Sequence, residues 1–377
     1  MHATRLNRLI ESAKALLGKA NLSLSSIGRH TDGTANVKNK IKAVDRLLSN
    51  PNCLLEKMDI YIALAAKIIG NLCNVDILVD WSSVESHEHH MLRASIVTEG
   101  RAVTIYQEVH PEKLLGTYEV HKKFLQQLKK IIPQHCHAQI ITNAGFRTEW
   151  FELVLEQNWD FQGRILSNMN YTMANKEDWE PVSELYKKAS DTPHYIGEVI
   201  LTTKRQLKCF AHLYSEATVE KKKVKKKVVK NKDHKMYRKR HYTPWLLVTS
   251  KANSNAKKEV KTYKRRMKIE HDFRDTKDPQ WGLGLRYSRT KQIKRLEVLL
   301  LISTLALFML WLVGLTAESK KLQYAFQANT IRKRRVLSLI FLGKQVLEHL
   351  PDQFTCEEFA DTLLEAQDIE RYWLEAA

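Results

Sequence analysis

The chain has 377 residues, 61 Lys and Arg against 42 Asp and Glu, and a formal net charge of +19. Its 44% hydrophobic content, with only 13 Gly and 8 Pro, excludes a disordered chain, and its length calls for two or three folded units. The basic balance points to a polyanionic partner: nucleic acid, whose phosphates release counterions when neutralised, with a membrane surface as the alternative.

Cys53, Cys73, Cys136, Cys209 and Cys356 are scattered without a CxxC pair, which argues against a disulfide scaffold or a zinc site and fits a reducing compartment. The amphipathic N-terminal stretch lacks the apolar core of a signal peptide. Residues 1–70 read as helical, with Leu6, Leu9, Ile10, Ala13, Leu16 and Leu17 on one face. Ser23 to Arg29 and Ala35 to Ser49 form two short helices around a Thr31-Asp32-Gly33-Thr34 turn. The second carries Lys38, Lys40, Lys42 and Arg46, and fits either a DNA-reading helix or the solvated basic face of a small bundle.

From Val75 the period shortens. Strands are predicted at Val75–Trp81, Met91–Val97 and Ala102–Val109, then a helix over Tyr118–Ile132 and a strand at Ala138–Thr142. Asn143-Ala144-Gly145 leads into a helix near Thr148–Asn158, and a fifth strand covers Phe161–Leu166. This order predicts an α/β fold with a mixed sheet and helices on its faces. Residues 168–255 lean towards strand and hold the most biased run, Lys221 to Arg240, with 12 Lys/Arg against Asp233. It reads as a mobile loop touching DNA backbone. A helix from Val260 to Lys277 ends at Pro279 and Gly282. Val298 to Leu315 carries no formal charge, so it is either a buried core helix or a membrane span; burial fits the rest of the chain better. The C-terminal region is helical, with an apolar-periodic basic segment at Thr330–Leu350.

On the Val260–Lys277 helix, Tyr263, Arg266, Glu270 and Lys277 fall in one stripe about 60° wide at about 100° per residue. A carboxylate framed by two cations and a phenol suits a metal-bound phosphate, although an ordinary salt-bridged surface has the same look. The strands tip the balance. Asp80 ends one apolar strand and Asn143 follows another, so both should emerge at one sheet edge, as ligands do in RNase H-like nucleases.

These segments resemble a known family. Val79-Asp80-Trp81-Ser82, Asn143-Ala144-Gly145-Phe146 and the Tyr263, Arg266, Glu270, Lys277 series are similar to the DDE transposases of bacterial insertion-sequence family four, the branch with a Tyr-Arg-Glu-Lys signature. Gly282 to Thr290 and Gln327 to Thr330 closely resemble its transposon-ten members. The resemblance implies an RNase H-like core at 71–167 and 258–295, interrupted by a β-rich insertion at 168–257. Helical regions at 1–70 and 296–377 would bind DNA and dimerise.

It also implies Asp80, Asn143 and Glu270 as ligands of two Mg²⁺ ions, with Mn²⁺ as a substitute, and cut-and-paste transposition through nicking, a DNA hairpin and strand transfer. Tyr263, Arg266, Lys277, Arg286 and Arg289 would grip DNA, and Trp245 would stack on a flipped base, where its surroundings alone suggest a buried strand Trp. The partners implied are double-stranded terminal repeats, target DNA and a second copy of the chain, in a bacterial cytoplasm and without a membrane. The family has Asp where this chain has Asn143. An amide brings no negative charge and cannot bridge two metals, so weak catalysis with intact DNA binding is expected, from an introduced substitution or a natural loss.

Overall fold

The computed structural model describes residues 2–84, 88–174, 176–216, 243–328, 330–331 and 333–375. In chain order the elements are α1 (Ala3–Leu17), α2 (Leu24–His30), α3 (Val37–Leu48), α4 (Pro51–Ile69), β1 (Asn74–Ser83), β2 (His89–Val97), β3 (Ala102–Pro111), α5 (Tyr118–Ile131), β4 (His137–Thr142), α6 (Thr148–Leu155), β5 (Asp160–Ile165), β6 (Asn170–Met173), β7 (Glu180–Pro181), α7 (Val182–Tyr186), β8 (His194–Leu201), β9 (Leu207–Tyr214), β10 (Trp245–Thr249), α8 (Ala256–Arg265), α9 (Met267–Lys277), α10 (Ile293–Ser319), α11 (Gln323–Phe326), α12 (Leu339–His349) and α13 (Cys356–Glu375). They form two compact units. The first holds Met1–Thr117, Gln126–His137 and Met267–Ala377; the second holds Tyr118–Leu125 and Ala138–Arg266.

In the first unit, β1 pairs antiparallel with β2, and β2 with β3. The uncharged stretch lies inside α10, which packs on α1, α3, α4, α12, α13 and β3. Its apolar window, of mean hydropathy 2.6, is 78% buried within the fold. Its polar side chains serve that burial. Thr304 Oγ1 and Leu300 O accept from Gln107 Nε2 of β3 at 2.9 and 3.1 Å, and Trp311 Nε1 donates to Glu99 O at 3.2 Å. The helix therefore closes a core.

Ser23 and Asn36 cap α2 and α3 through their side-chain oxygens. A Cβ on Gly28 would stand 2.6 Å from Ile41 Cα, so α2 and α3 cross with their backbones in contact. The expected apolar face of α1 is only partly correct. Leu9, Ala13 and Leu16 are buried along with Ser12 and Ala15, whereas Leu6 and Ile10 are each 38% exposed. The buried stripe is thus rotated by about one residue.

In the second unit the strands pair in both senses. β4 and β5 run parallel, and β5 continues antiparallel through β10, β9, β8, β6 and β7. The α6 crossover lies on this sheet with Phe151 stacked on Phe161 at 4.6 Å. A Cβ on Gly163 would meet Phe151 at 2.3 Å, so glycine in β5 makes room for the helix. The predicted segment 168–255 contains β6 to β10 but also the short helix α7.

Two further expectations need correction. The single helix over 260–277 is two helices. At Arg266 the backbone N–H turns to the Tyr263 carbonyl three residues back, at 3.0 Å, and the ladder is interrupted before α9 begins. No Gly or Pro marks the break. In the C-terminal segment, helix starts only at Leu339, where Ser338 Oγ accepts from Phe341 N at 3.1 Å; the described residues between Gln327 and Ser338 are irregular.

Candidate active site

Within the first unit, β1 is buried from Val75 through Asp80 and continues to Ser83. Asp80 therefore ends the buried run but not the strand, which continues three residues beyond it to Ser83. It is 3% exposed, and its Oδ1 accepts the Trp81 N–H at 2.8 Å. Directly across the ladder from Asp80 is Arg93, fully buried. Opposed residues of an antiparallel pair share a face, and so do residues two apart, so Asp80, Ser82 and Arg93 project from the same side.

Helix α9 covers that side. Arg93 reaches Asp272 Oδ1 at 3.1 Å and Thr276 Oγ1 at 3.1 Å, with its guanidinium 4.7 Å from the Phe273 ring centre. Lys277 Nζ donates to Ser82 Oγ at 2.7 Å. Ile269, Phe273 and Thr276 form the buried centre of the helix face. At about 100° per residue, Glu270 and Lys277 lie on one flank of it, and Asp272 and Asp275 lie on the other. The first flank reaches β1 through Lys277. The second reaches β2 and β3, where Ser95 and Thr104 each donate to Asp272 Oδ2 at 2.7 Å. Glu270 is exposed on the flank nearer β1.

The segment after α9 fixes its end. Leu283 N donates to Asp275 O at 2.7 Å, and a Cβ on Gly282 would stand 2.3 Å from that same oxygen. Glycine is required by this close approach. The turn leaves Arg286 and Arg289 exposed beside Trp281 and Tyr287, which are 52% and 54% exposed. On α3, Lys38, Lys42 and Arg46 are exposed, whereas Lys40 Nζ donates to Thr31 O at 2.9 Å and pins the inter-helix turn. The Lys221 to Arg240 run lies outside the described residues.

In the second unit, Asn143 immediately follows β4. Its Oδ1 accepts the Gly145 N–H at 2.7 Å, a side-chain turn that Phe146 anchors by packing 4.6 Å from Trp150 and 5.3 Å from His121. Trp245, the first residue of β10, has Tyr263 at 5.3 Å and Tyr214 at 5.7 Å edge-on, with the Arg164 guanidinium 5.9 Å from its ring. Arg266 stands 5.8 Å from the Tyr263 ring. Tyr263 and Arg266 thus join an aromatic–cation cluster in this unit, while Glu270 and Lys277 belong to the first unit. Burial lowers the Arg164 pKa from its ordinary value, and Arg164 donates to Thr243 O at 3.1 Å. Arg164, Tyr214, Arg93 and Asp272 were not singled out from the sequence. An arginine inside the apolar strand Met91-Leu92-Arg93-Ala94 was the one available signal.

Among the described residues no three His, Cys, Asp or Glu side chains gather as a metal cluster. The candidate donors are two carboxylates, Asp80 and Glu270, and the amide of Asn143. Carboxylates are the hard oxygen ligands that Mg²⁺ prefers; the amide oxygen adds no charge and already accepts Gly145 N–H.

A large mixed sheet flanked by helices, with an acid on its first strand and another on the helix covering that strand, is consistent with an RNase H-like phosphoryl-transfer domain. The transposase DDE domain family matches residues 72–309, well over half of the chain, and the chain belongs to that family. No curated protein matches it. Membership implies DNA binding and nuclease and strand-transfer chemistry with divalent metals such as Mg²⁺.

Proposed function

We propose that this chain is a cut-and-paste DNA transposase of the insertion-sequence family-four type, close to its transposon-ten members, acting on the bacterial nucleoid. The observation that carries the reading is local to the first unit. Lys277 of the Tyr-Arg-Glu-Lys series bonds Ser82, two residues beyond Asp80, which sets the Glu270 flank of α9 over the acid-bearing strand.

Asp80 and Glu270 would hold the divalent metal, and Asn143 stands where the family carries its second Asp. Bound metal would supply Lewis-acid activation of water or a 3′-hydroxyl at the scissile phosphate. The chain's own groups do the rest. Lys277 and Arg266 neutralise phosphate charge, Tyr263 donates a hydrogen bond, and Trp245 offers a ring for an unstacked base during hairpin formation. Arg286, Arg289, Lys38, Lys42 and Arg46 hold the duplex by its backbone. Two copies on paired terminal repeats complete the reading, with α10 buried inside each copy and not in a membrane.

Asn143 favours a second reading, a protein that binds transposon ends without cutting them. Asn143→Asp separates the two. If the restored chain nicks and forms hairpins on an end-containing oligonucleotide with Mg²⁺, the transposase reading holds. If it binds ends and does neither, the binding-only reading replaces it.

A further inference from the structure

The helix that carries Glu270 is held to its sheet by a buried polar network with no counterpart in the proposed chemistry. Asp272 Oδ2 accepts from Ser95 and Thr104, and its Oδ1 faces Arg93 at 3.1 Å. Arg93 Nε and Nη2 donate to Gln107 Oε1 at 3.0 and 2.8 Å, and Gln107 in turn donates to Leu300 O and Thr304 Oγ1 of α10. Each of these side chains is buried and belongs to the first unit.

Burying an ion pair this deeply gives little net stability compared with an apolar pair of similar volume. What it supplies is directional fixing. Apolar contacts from Ile269 and Phe273 leave a helix free to roll, whereas two hydroxyls hydrogen-bonded to Asp272 and a guanidinium hydrogen-bonded to Thr276 of the same helix do not. The network sits two residues beyond Glu270 on α9 and directly across the ladder from Asp80 on β1. It grips the β2–β3 flank of the helix, while Lys277–Ser82 grips the β1 flank.

We propose that Arg93 and Asp272 are positioning residues for the metal-holding carboxylates, setting the roll of α9 and hence where Glu270 stands relative to Asp80. Neither touches metal or DNA. The inference rests on the reading of Asp80 and Glu270 as metal ligands.

The test measures Mn²⁺ binding by electron paramagnetic resonance on the full chain carrying Asn143→Asp. Asp272→Asn in that background keeps the side-chain shape and removes the charge. It is expected to melt cooperatively, to bind DNA ends within about twofold, and to bind Mn²⁺ roughly 10- to 100-fold more weakly. Thr104→Val, which removes one hydroxyl donor, gives a smaller loss in the same direction and serves if Asp272→Asn does not fold. Asp275→Asn, on the same flank but paired with Arg101, is the control for loss of a buried carboxylate and leaves Mn²⁺ affinity unchanged. Unchanged affinity in folded Asp272→Asn and in Thr104→Val overturns the proposal. So does an equal loss in Asp275→Asn, since affinity would then follow any buried carboxylate of that flank and not the Asp272 network. If the Asn143→Asp parent binds no Mn²⁺, the metal reading itself falls and this inference with it.

Discussion

Gly28→Ala sets two effects of opposite sign against each other. In a helix interior, alanine is favoured over glycine by about 1 kcal/mol, so an open site would gain stability. Here the new Cβ would stand 2.6 Å from Ile41 Cα, 2.8 Å from its Cγ1 and 2.9 Å from its N. Two of those atoms are backbone and cannot rotate away, so α3 itself must move. Overpacking of this kind costs about 1–3 kcal/mol, and contact with backbone places it near the top of that range. The expected net loss is about 1–2 kcal/mol, read as a lower urea midpoint by circular dichroism. Because α3 carries exposed Lys38, Lys42 and Arg46, its displacement should also weaken duplex binding several-fold and flatten the dependence of affinity on salt. A raised midpoint would refute the close crossing of α2 and α3. A lowered midpoint with unchanged duplex binding would remove α3 from the DNA interface.

Arg93→Met strands the Asp272 charge in the core and should cost about 3–5 kcal/mol in chemical denaturation; Arg93→Met with Asp272→Leu should recover most of it. If the double variant is no more stable than the single, the penalty is not that of an orphaned charge. Burial, reinforced by the Asp272 charge and opposed by Arg101, pushes the Asp275 carboxyl from 3.8 up to about 6. The folded state therefore holds this proton to higher pH than the unfolded state, and stability falls by about 3 kcal/mol as pH rises through that interval. Asp275→Asn should remove this slope, and a slope that persists would assign it to other groups. Trp245→Ala should lower hairpin yield on a pre-nicked end by about 5- to 100-fold in the Asn143→Asp background, with binding of flush duplex retained. Equal loss of both would make Trp245 a packing residue of β10.

The strands and their order were legible because periodicity is local. Val75–Trp81, Ala102–Val109 and Ala138–Thr142 coincide with β1, β3 and β4 to within two residues. The positions of Asp80 on a strand and Glu270 on a helix were legible from the sequence pattern, as was the uncharged helix. The break at Arg266 was not, since Arg265-Arg266-Met267 has good helix formers throughout. The Arg93–Asp272 network was hidden for a similar reason. Its members are spread from Arg93 to Thr304 and meet only when α9 and α10 fold onto the sheet. Lys40 shows the converse: the pattern put it on a basic face, while the fold uses it to close the turn at Thr31.

Whether the chain is a transposase core with one ligand position neutralised is decided by nicking. An oligonucleotide duplex carrying a terminal repeat is incubated with Mg²⁺ and either the chain as it stands or its Asn143→Asp form. The amide oxygen of Asn143 is already committed to Gly145, and a carboxylate there would keep that bond while offering a second, charged oxygen. Both proteins are expected to bind ends. The Asn143→Asp form is expected to nick and then form hairpins at a rate at least about 100-fold above the unsubstituted chain, in keeping with the few kcal/mol that one charged metal ligand contributes. Equal rates, or no nicking by the Asn143→Asp form while it still binds ends, would contradict that reading of the chain.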